Sequence, residues 1–180
     1  MTDVTENQNT GPSLRDALKG AQDPLKQQYR DDPESAVVTL HADGELGAGV
    51  ACKVDTGRAI AEAGLHPATG GDGTQLCSGD MLLEALVACA GVTLRAVATA
   101  LELEVTGAVR AEGDLDFRGT LGVAKDAPVG FRAIRLTFDL DTHGATEEQR
   151  ATLVKLTERY CVVLQTIKGS ATTSVEITGS

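Results

Sequence analysis

Cys89 and Cys161 are the residues of this sequence whose chemistry suggests a function. A thiolate is the most nucleophilic side chain at neutral pH, and it attacks a peroxide O–O bond to become a sulfenic acid. A second thiol then condenses with that sulfenic acid to form a disulfide. Either cysteine alone is explained as well by core packing, because free Cys is among the most buried residue types. Two thiols brought together in an apolar setting would favour redox chemistry with organic oxidants.

The longest predicted helix, residues 79–101, carries Cys89 near its middle. Ser78 is its predicted N-cap, and Asp80 falls in the first turn, where a negative charge suits the helix dipole. Apolar residues cover most of the circumference, which predicts burial on nearly all sides. No residue in the local sequence plainly supplies the cation that would favour a thiolate. The face of Cys89 is shared by Leu82, Ala85, Leu86, Val92, Thr93 and Ala96.

A second predicted helix leads to Cys161. Thr146 with Gln149 three residues later fits a capping box, and the helix is expected to continue to about Tyr160. Leu153, Leu156 and Tyr160 would share one face of this helix. Two helices that each carry one thiol could therefore bring Cys89 and Cys161 together.

Alternation of apolar and polar residues predicts strands on both sides of the long helix. Residues 105–117 and 134–140 alternate cleanly, which predicts an antiparallel hairpin of half-buried strands. Strands and helices in this order predict an α+β fold built on an antiparallel sheet. The other predicted strands are residues 36–42, 48–54, 58–63 and 171–178, with a turn at Asp43-Gly44 after the first of them.

The first 34 residues differ from the rest because they contain few branched apolar residues. Residues 1–34 are predicted to be an arm that is partly disordered at its start, with short helices at 13–19 and 24–29. Residues 35–180 are long enough to form one domain with its own core.

The composition excludes several classes of partner. A formal net charge of −10, with 26 acidic and 16 basic residues, argues against binding to nucleic acid or to an anionic membrane surface. No apolar run reaches the roughly 20 residues that cross a bilayer, and the polar start of the chain does not resemble a secretory signal. We therefore expect a cytoplasmic protein, in which the four cysteines do not form structural disulfides.

A metal site would need Cys52 or Cys77 together with His41 and His66. None of these residues shows the paired Cys or His spacing typical of metal ligands, and Cys52 alternates with apolar residues of a predicted strand. The glycine-rich loop 64–73 lacks the Lys and Ser/Thr of a phosphate-binding loop, so it is predicted to be a connector or a mobile active-site loop. We expect neither a metal nor another cofactor.

These features resemble the OsmC/Ohr family, the osmotically inducible protein C and organic hydroperoxide resistance proteins. The resemblance covers residues 36–178 and includes Cys161 after the second helix. The family pattern of the central helix is an acidic residue near the start, then Leu-Leu, small residues and Cys. In this chain the pattern reads Gly79-Asp80-Met81-Leu82-Leu83-Glu84-Ala85-Leu86-Val87-Ala88-Cys89.

The resemblance implies an OsmC-like fold in an intertwined homodimer, with the long helices buried between sheets and the active sites at the dimer interface. It implies reduction of organic hydroperoxides, in which Cys89 attacks as the peroxidatic cysteine and Cys161 resolves. Asp80 would help to orient a cation that activates Cys89. A cytoplasmic dithiol would restore the reduced enzyme.

Three positions depart from the family pattern. Val162 follows Cys161 where the family usually has Pro. Gly79 stands ten positions before the reactive cysteine, where the hydroperoxide resistance branch has Glu. That branch also has an activating Arg in an early strand, for which Arg58 and Arg30 are the candidates here. The sequence therefore predicts a divergent member of the family with an activating group still to be identified.

Two other functions stay open on the sequence. A non-catalytic protein of this fold would bind a small apolar ligand in the interface pocket, with the cysteines only lining that pocket. A different enzyme on the same scaffold would use Cys89 as its nucleophile. The surroundings of the Cys89 sulfur discriminate between these functions, because a reactive thiolate needs a cation or another donor close to it.

Overall fold

The computed structural model describes residues 14–46, 52–54, 63–74, 76–169 and 171–177, with side chains described in 19–39, 64–74, 76–169 and 171–177. An antiparallel sheet and the helices packed against it form two layers. The helices are α1 (Leu14–Asp31), α2 (Ser78–Ala100), the short α3 (Phe117–Thr120), α4 (Glu147–Tyr160) and α5 (Val162–Lys168). The strands are β1 (Val37–Leu46), β2 (Cys52–Val54), β3 (Ala63–Gly64), β4 (Leu76–Cys77), β5 (Thr106–Asp116) and β6 (Ala133–Asp141).

The main sheet has the strand order β2-β1-β5-β6, and every neighbouring pair is antiparallel. The predicted hairpin after the long helix is confirmed as β5 paired with β6, in a register that runs from Thr106 opposite Asp141 to Asp114 opposite Ala133. β3 and β4 form a separate two-stranded parallel ladder just before α2. The expected α+β fold is therefore confirmed.

The turn predicted at Asp43-Gly44 is wrong. β1 continues through both residues to Leu46, because they pair with Arg110 and Val109 of β5. A partner strand some 65 residues away is invisible to a local turn signal, although Asp-Gly is a strong one. The strands predicted for 48–54 and 58–63 lie outside the described residues except for β2 and Ala63.

α2 lies across the inner face of the sheet and forms the centre of the core. It begins at Ser78 with Cys77 as its N-cap, one residue before the predicted cap. Leu83, Leu86 and Val87 are fully buried against strand residues. By length and composition alone α2 could also cross a membrane, but it packs against the sheet as a core helix does.

One face of α2 is uncovered in the single chain, which corrects the predicted burial on nearly all sides. Leu82 and Val92 are each 40% exposed, and Ala85 and Ala96 are also exposed. We call these four residues the exposed strip. Positions 82, 85, 89, 92 and 96 follow one line along the helix, so Cys89 lies at the centre of the exposed strip, where it is half-buried.

α4 and α5 form a second helical unit packed against α2. The predicted capping box of α4 is confirmed: the Gln149 N–H donates to the Thr146 hydroxyl, and the Thr146 N–H donates to the Gln149 side chain. α4 ends at Tyr160, and Cys161 is both its C-cap and the N-cap of α5.

The two ends of the chain differ from expectation. α1 is one continuous helix through Pro24 rather than two short helices, and the predicted disorder of 1–13 lies outside the described residues. The predicted final strand is absent from 171–177, which is exposed and irregular. Val175 and Ile177 are 94% and 96% exposed there, because none of the described strands pairs with this segment.

Candidate functional site

The structure brings Cys89 and Cys161 together. Cys89 projects from the middle of α2, and Cys161 occupies the junction between α4 and α5. Both cysteines are free thiols packed in the same core cluster, and each shifts the pKa of the other. Cys161 is fully buried, whereas Cys89 is half-buried. The Cys89 sulfur is therefore the more accessible of the two.

The end of one helix and the start of the next supply donors to Cys89. The first N–H groups of a helix have no partner within it, and those of Val162 and Val163 in α5 are directed to the Cys89 sulfur. The Thr93 hydroxyl, one turn further along α2, is a third neutral donor. Burial acts to raise the pKa of Cys89, but the bonds from the Val163 N–H, the Cys161 thiol, Thr93 and Val162 outweigh it and lower that pKa.

The pKa of Cys161 moves in the opposite direction. Burial, together with the neighbouring Cys89, raises it to about 11, although the N–H groups of Leu164 and Val163 act against this. The two thiols titrate as a pair, in which the first proton leaves Cys89 and the other stays on Cys161. The arrangement therefore places a thiol with a lowered pKa beside a thiol with a raised pKa.

Of the other residues predicted to help activate the thiol, Asp80 and Arg30 are described, and neither is among the groups that shift the pKa of Cys89. Asp80 is half-buried in the first turn of α2, nine residues or about 14 Å along the helix axis from Cys89. Arg30 is exposed on α1, where it bonds to the side chain of Gln27. Arg58 lies outside the described residues. The orienting role of Asp80 stays a prediction.

The remaining candidate ligands are dispersed. Cys77 caps α2, twelve residues before Cys89, while Cys52 and His41 lie in strands with side chains outside the described part. His66 stacks on Phe117, with ring centroids 5.0 Å apart. Across the described side chains, no group of three or more His, Cys, Asp or Glu residues is placed to hold a metal ion.

The glycine-rich loop is fastened to α1 rather than to the cysteine pair. The Tyr29 hydroxyl donates to the Ala68 carbonyl at 2.7 Å, and the Gln22 amide donates to the Thr69 carbonyl at 3.0 Å. Tyr29 itself is 2% exposed. These contacts fit the predicted connector better than a mobile active-site loop.

An apolar groove of about 720 Å³ opens between β6 and the helices α4 and α5. Its sheet side carries Ile134, Leu136 and Phe138, and Leu82 of the exposed strip also lines it. Neither cysteine lines the groove. Charged side chains at its margin are Arg132, Glu158 and Lys168.

Sequence reasoning identified the two cysteines but not the donors around them. Thr93 is recognisable as a residue on the same helical face as Cys89, four positions away. The N–H groups of Val162 and Val163 have no sequence signature, because every residue except Pro carries one. The departure from Cys-Pro at residue 162 is the nearest signal, since Pro would remove one of these donors.

Comparisons with known proteins agree with this architecture. The crystal structure of an OsmC-like hydroperoxide resistance protein from Jannaschia sp. CCS1 is similar, with a TM-score of 0.53 and 17% identity over 80% of this chain and 95% of that chain. No curated protein sequence matches. The family described as OsmC-like protein matches residues 71–176, more than half of the chain and a range that contains Cys89 and Cys161. This chain therefore belongs to the OsmC-like protein family.

Proposed function

We propose that this protein is a thiol-dependent peroxidase that reduces organic hydroperoxides. Cys89 attacks the peroxide, and Cys161 resolves the oxidised product. The proposal depends above all on one observation: the half-buried Cys89 lies beside the buried Cys161 and the first residues of α5, and these neighbours lower the pKa of its thiol. Such a set favours a nucleophile beside its resolving partner.

The reaction proceeds in three balanced steps. The Cys89 thiolate attacks the terminal oxygen of ROOH, the O–O bond breaks, and the products are the sulfenic acid and an alkoxide that takes a proton from water. The Cys161 thiol then attacks the sulfenic sulfur, which forms the Cys89–Cys161 disulfide and releases water. A dithiol reduces this disulfide by thiol exchange and is itself oxidised to a disulfide.

The accessible sulfur decides where the reductant enters. Cys161 is fully buried, so a dithiol reaches the disulfide at the half-buried Cys89 and forms its mixed disulfide there. The apolar residues of the exposed strip around Cys89 would favour the hydrocarbon part of an organic hydroperoxide over a small hydrophilic oxidant. We expect a cytoplasmic dithiol as the reductant and no metal or organic cofactor.

A homodimer is part of this proposal. The residues of the exposed strip, together with Cys89, follow one another at alternating intervals of three and four positions. This is the spacing of residues through which one helix packs along another. The groove and the exposed apolar residues of 171–177 are further surfaces that a second copy would cover. Two α2 helices packed along their strips would place each Cys89 at the interface.

A binding protein without catalysis is the second candidate. The groove has a volume within the usual range for small-molecule sites, and its lining does not include either cysteine. An apolar ligand held there would not need the thiols.

One experiment separates the two functions. The reduced protein is treated with one equivalent of an organic hydroperoxide, and the remaining peroxide and the disulfides are measured by chemical assay and mass spectrometry. We expect consumption of the peroxide and a Cys89–Cys161 disulfide. Cys161→Ser should stop at the sulfenic acid, which dimedone traps on Cys89, and Cys89→Ser should consume none.

Cys77→Ser is the matched control because Cys77 is a free thiol of the same helix region away from the pair. It should behave as the unmodified protein does. Absence of both peroxide consumption and the Cys89–Cys161 linkage would leave the ligand-binding function in its place.

A further inference from the structure

We propose that Gln165 is a positioning residue that holds Cys161 against Cys89 by closing the junction between α4 and α5. The inference deepens the proposed peroxidase and rests on it for its biological meaning, because Cys161 is the resolving thiol of that reaction. Gln165 acts through Cys161, by hydrogen bonds to the backbone on both sides of the junction.

The junction consists of a single non-helical residue. α4 ends at Tyr160, α5 begins at Val162, and Cys161 between them has φ −70° and ψ 104°. The value of ψ departs from that of a helix, so Cys161 is the point at which the direction of α5 is set relative to α4. The place of its thiol therefore depends on what fastens α5 to α4.

The Gln165 side chain provides that fastening. Its amide donates to the Glu158 carbonyl at 2.7 Å, and its backbone N–H donates to the Cys161 carbonyl at 2.9 Å. The last four carbonyls of a helix have no partner within it, and that of Glu158 is one of these in α4. Lys168 adds a second bond across the junction, to the Glu158 carboxylate at 3.2 Å.

Core packing keeps α5 in place independently of these bonds. Leu164 is 8% exposed and belongs to the same core cluster as Cys161, whereas Gln165 is exposed. Loss of the amide therefore loosens the junction without unfolding the helix. A looser junction gives the two thiols more arrangements, of which the disulfide permits few, so the disulfide becomes less stable relative to the reduced pair.

The test measures the equilibrium between the two thiols of Cys89 and Cys161 and their disulfide in the full chain. In redox buffers of dithiothreitol, extended to higher potentials with glutathione, the two protein thiols reduce one buffer disulfide to two thiol groups and become the protein disulfide. Acid quenching, alkylation and mass spectrometry then give the midpoint potential of this pair.

Two variants are compared with the unmodified protein. Gln165→Met removes the amide but keeps a side chain of similar length and helix propensity. Thr166→Val is the matched control, because Thr166 is an exposed residue of α5 whose hydroxyl bonds to the Val162 carbonyl at 2.9 Å within the same helix.

We expect Gln165→Met to lower the equilibrium constant for disulfide formation about three- to fivefold, the effect of losing one hydrogen bond. The midpoint potential then rises by about 15 to 20 mV. Thr166→Val should keep the potential of the unmodified protein. A role in stability alone would destabilise the reduced and oxidised forms equally and leave the potential unchanged, and urea unfolding of both forms establishes this comparison.

An unchanged potential in Gln165→Met, or an equal rise in Gln165→Met and Thr166→Val, would overturn the role of Gln165. The equilibrium involves no peroxide, so its outcome is separate from that of the catalytic assay. A raised potential in Gln165→Met together with no peroxide consumption by the unmodified protein would support the positioning role and refute the peroxidase. Peroxide consumption with an unchanged potential would do the reverse.

Discussion

Two thiols with unlike surroundings define the chemistry at the scale of single residues. Cys89 meets neutral donors at a helix start, while Cys161 lies in the core with its pKa raised to about 11. Cys89 therefore loses its proton before Cys161 does, and the Cys161 thiol can then bond to the thiolate beside it. Neutral donors keep their hydrogen atoms at every pH in the physiological range, so only the cysteine pair itself titrates.

A different buried group supports the end of β5. Asp116 is 2% exposed and accepts bonds from the Arg118 guanidinium at 2.5 and 2.9 Å. We expect Asp116→Asn to lower the free energy of unfolding by about 2 kcal/mol, since a bond between charged groups is lost in a buried site. Asp139→Asn, at a 73% exposed carboxylate paired with Arg110, should change it by less than about 0.5 kcal/mol. Urea unfolding measures both.

The same carboxylate should make stability depend on pH. Hydrogen bonds from Arg118 lower the pKa of Asp116 in the folded protein. Its contribution is therefore complete above the unfolded value of about 3.9 and is lost as the pH falls through the lowered folded value. The stability difference between the unmodified protein and Asp116→Asn should shrink in that acid range. A difference that stays constant there would contradict this account.

The two candidate reactive residues could be predicted from the sequence, because their chemistry belongs to their side chains. Cys89 and Cys161 stand out as thiols on two helices, and the structure places them together. The donors at Val162 and Val163 were not predictable, because their N–H groups become available only where α5 begins. That start depends on where α4 ends, which tertiary packing decides.

At the scale of elements, the junction of α4 and α5 positions the site. Glu158 near the end of α4 accepts bonds from Gln165 and Lys168 of α5, at 2.7 and 3.2 Å, so α5 is held back against α4. Thr157 is fully buried where α4 meets the core. The first turn of α5 is thereby presented to Cys89.

The N-terminal cap of α4 should contribute measurably to the stability of this unit. We expect Thr146→Ala to lower the free energy of unfolding by about 1 kcal/mol, because it leaves the Gln149 N–H without its partner. Thr152→Ala, at an exposed position inside the same helix, should be neutral or slightly stabilising because Ala has the higher helix propensity. Thermal and urea unfolding measure both variants. Equal destabilisation by the two substitutions would show that the cap has no special effect.

The periodicity of the sequence predicted the helices and strands that local interactions stabilise. It did not predict the extent of strands that depend on pairing with a distant part of the chain. α2, α4 and the β5–β6 hairpin follow from helical spacing, a capping box and clean alternation. The full length of β1 does not, because its second half is held by β5. Residues 171–177 have the composition of a strand but pair with none of the strands that the structure describes.

At the scale of the whole molecule, apolar surface is left uncovered on one chain. The exposed strip, the groove beside β6 and the segment 171–177 are exposed apolar surfaces, and surfaces of this kind mark contacts with a partner when they are large. The net charge of −10 keeps such a chain dispersed without covering these surfaces. A second copy would cover them and complete the surroundings of Cys89.

The exposed strip provides the test of that assembly. We expect the unmodified protein to sediment at twice the mass of one chain, and Val92→Glu to weaken the dimer by at least about a hundredfold, because burying one unpaired charge in an apolar interface costs several kcal/mol. Leu65→Glu is the matched control, since Leu65 is 46% exposed outside the strip and should leave the dimer intact. Sedimentation velocity across a range of concentrations measures all three. A monomeric unmodified protein, or a Val92→Glu dimer as tight as the control, would refute packing through the strip and return Cys89 to a site built from one chain.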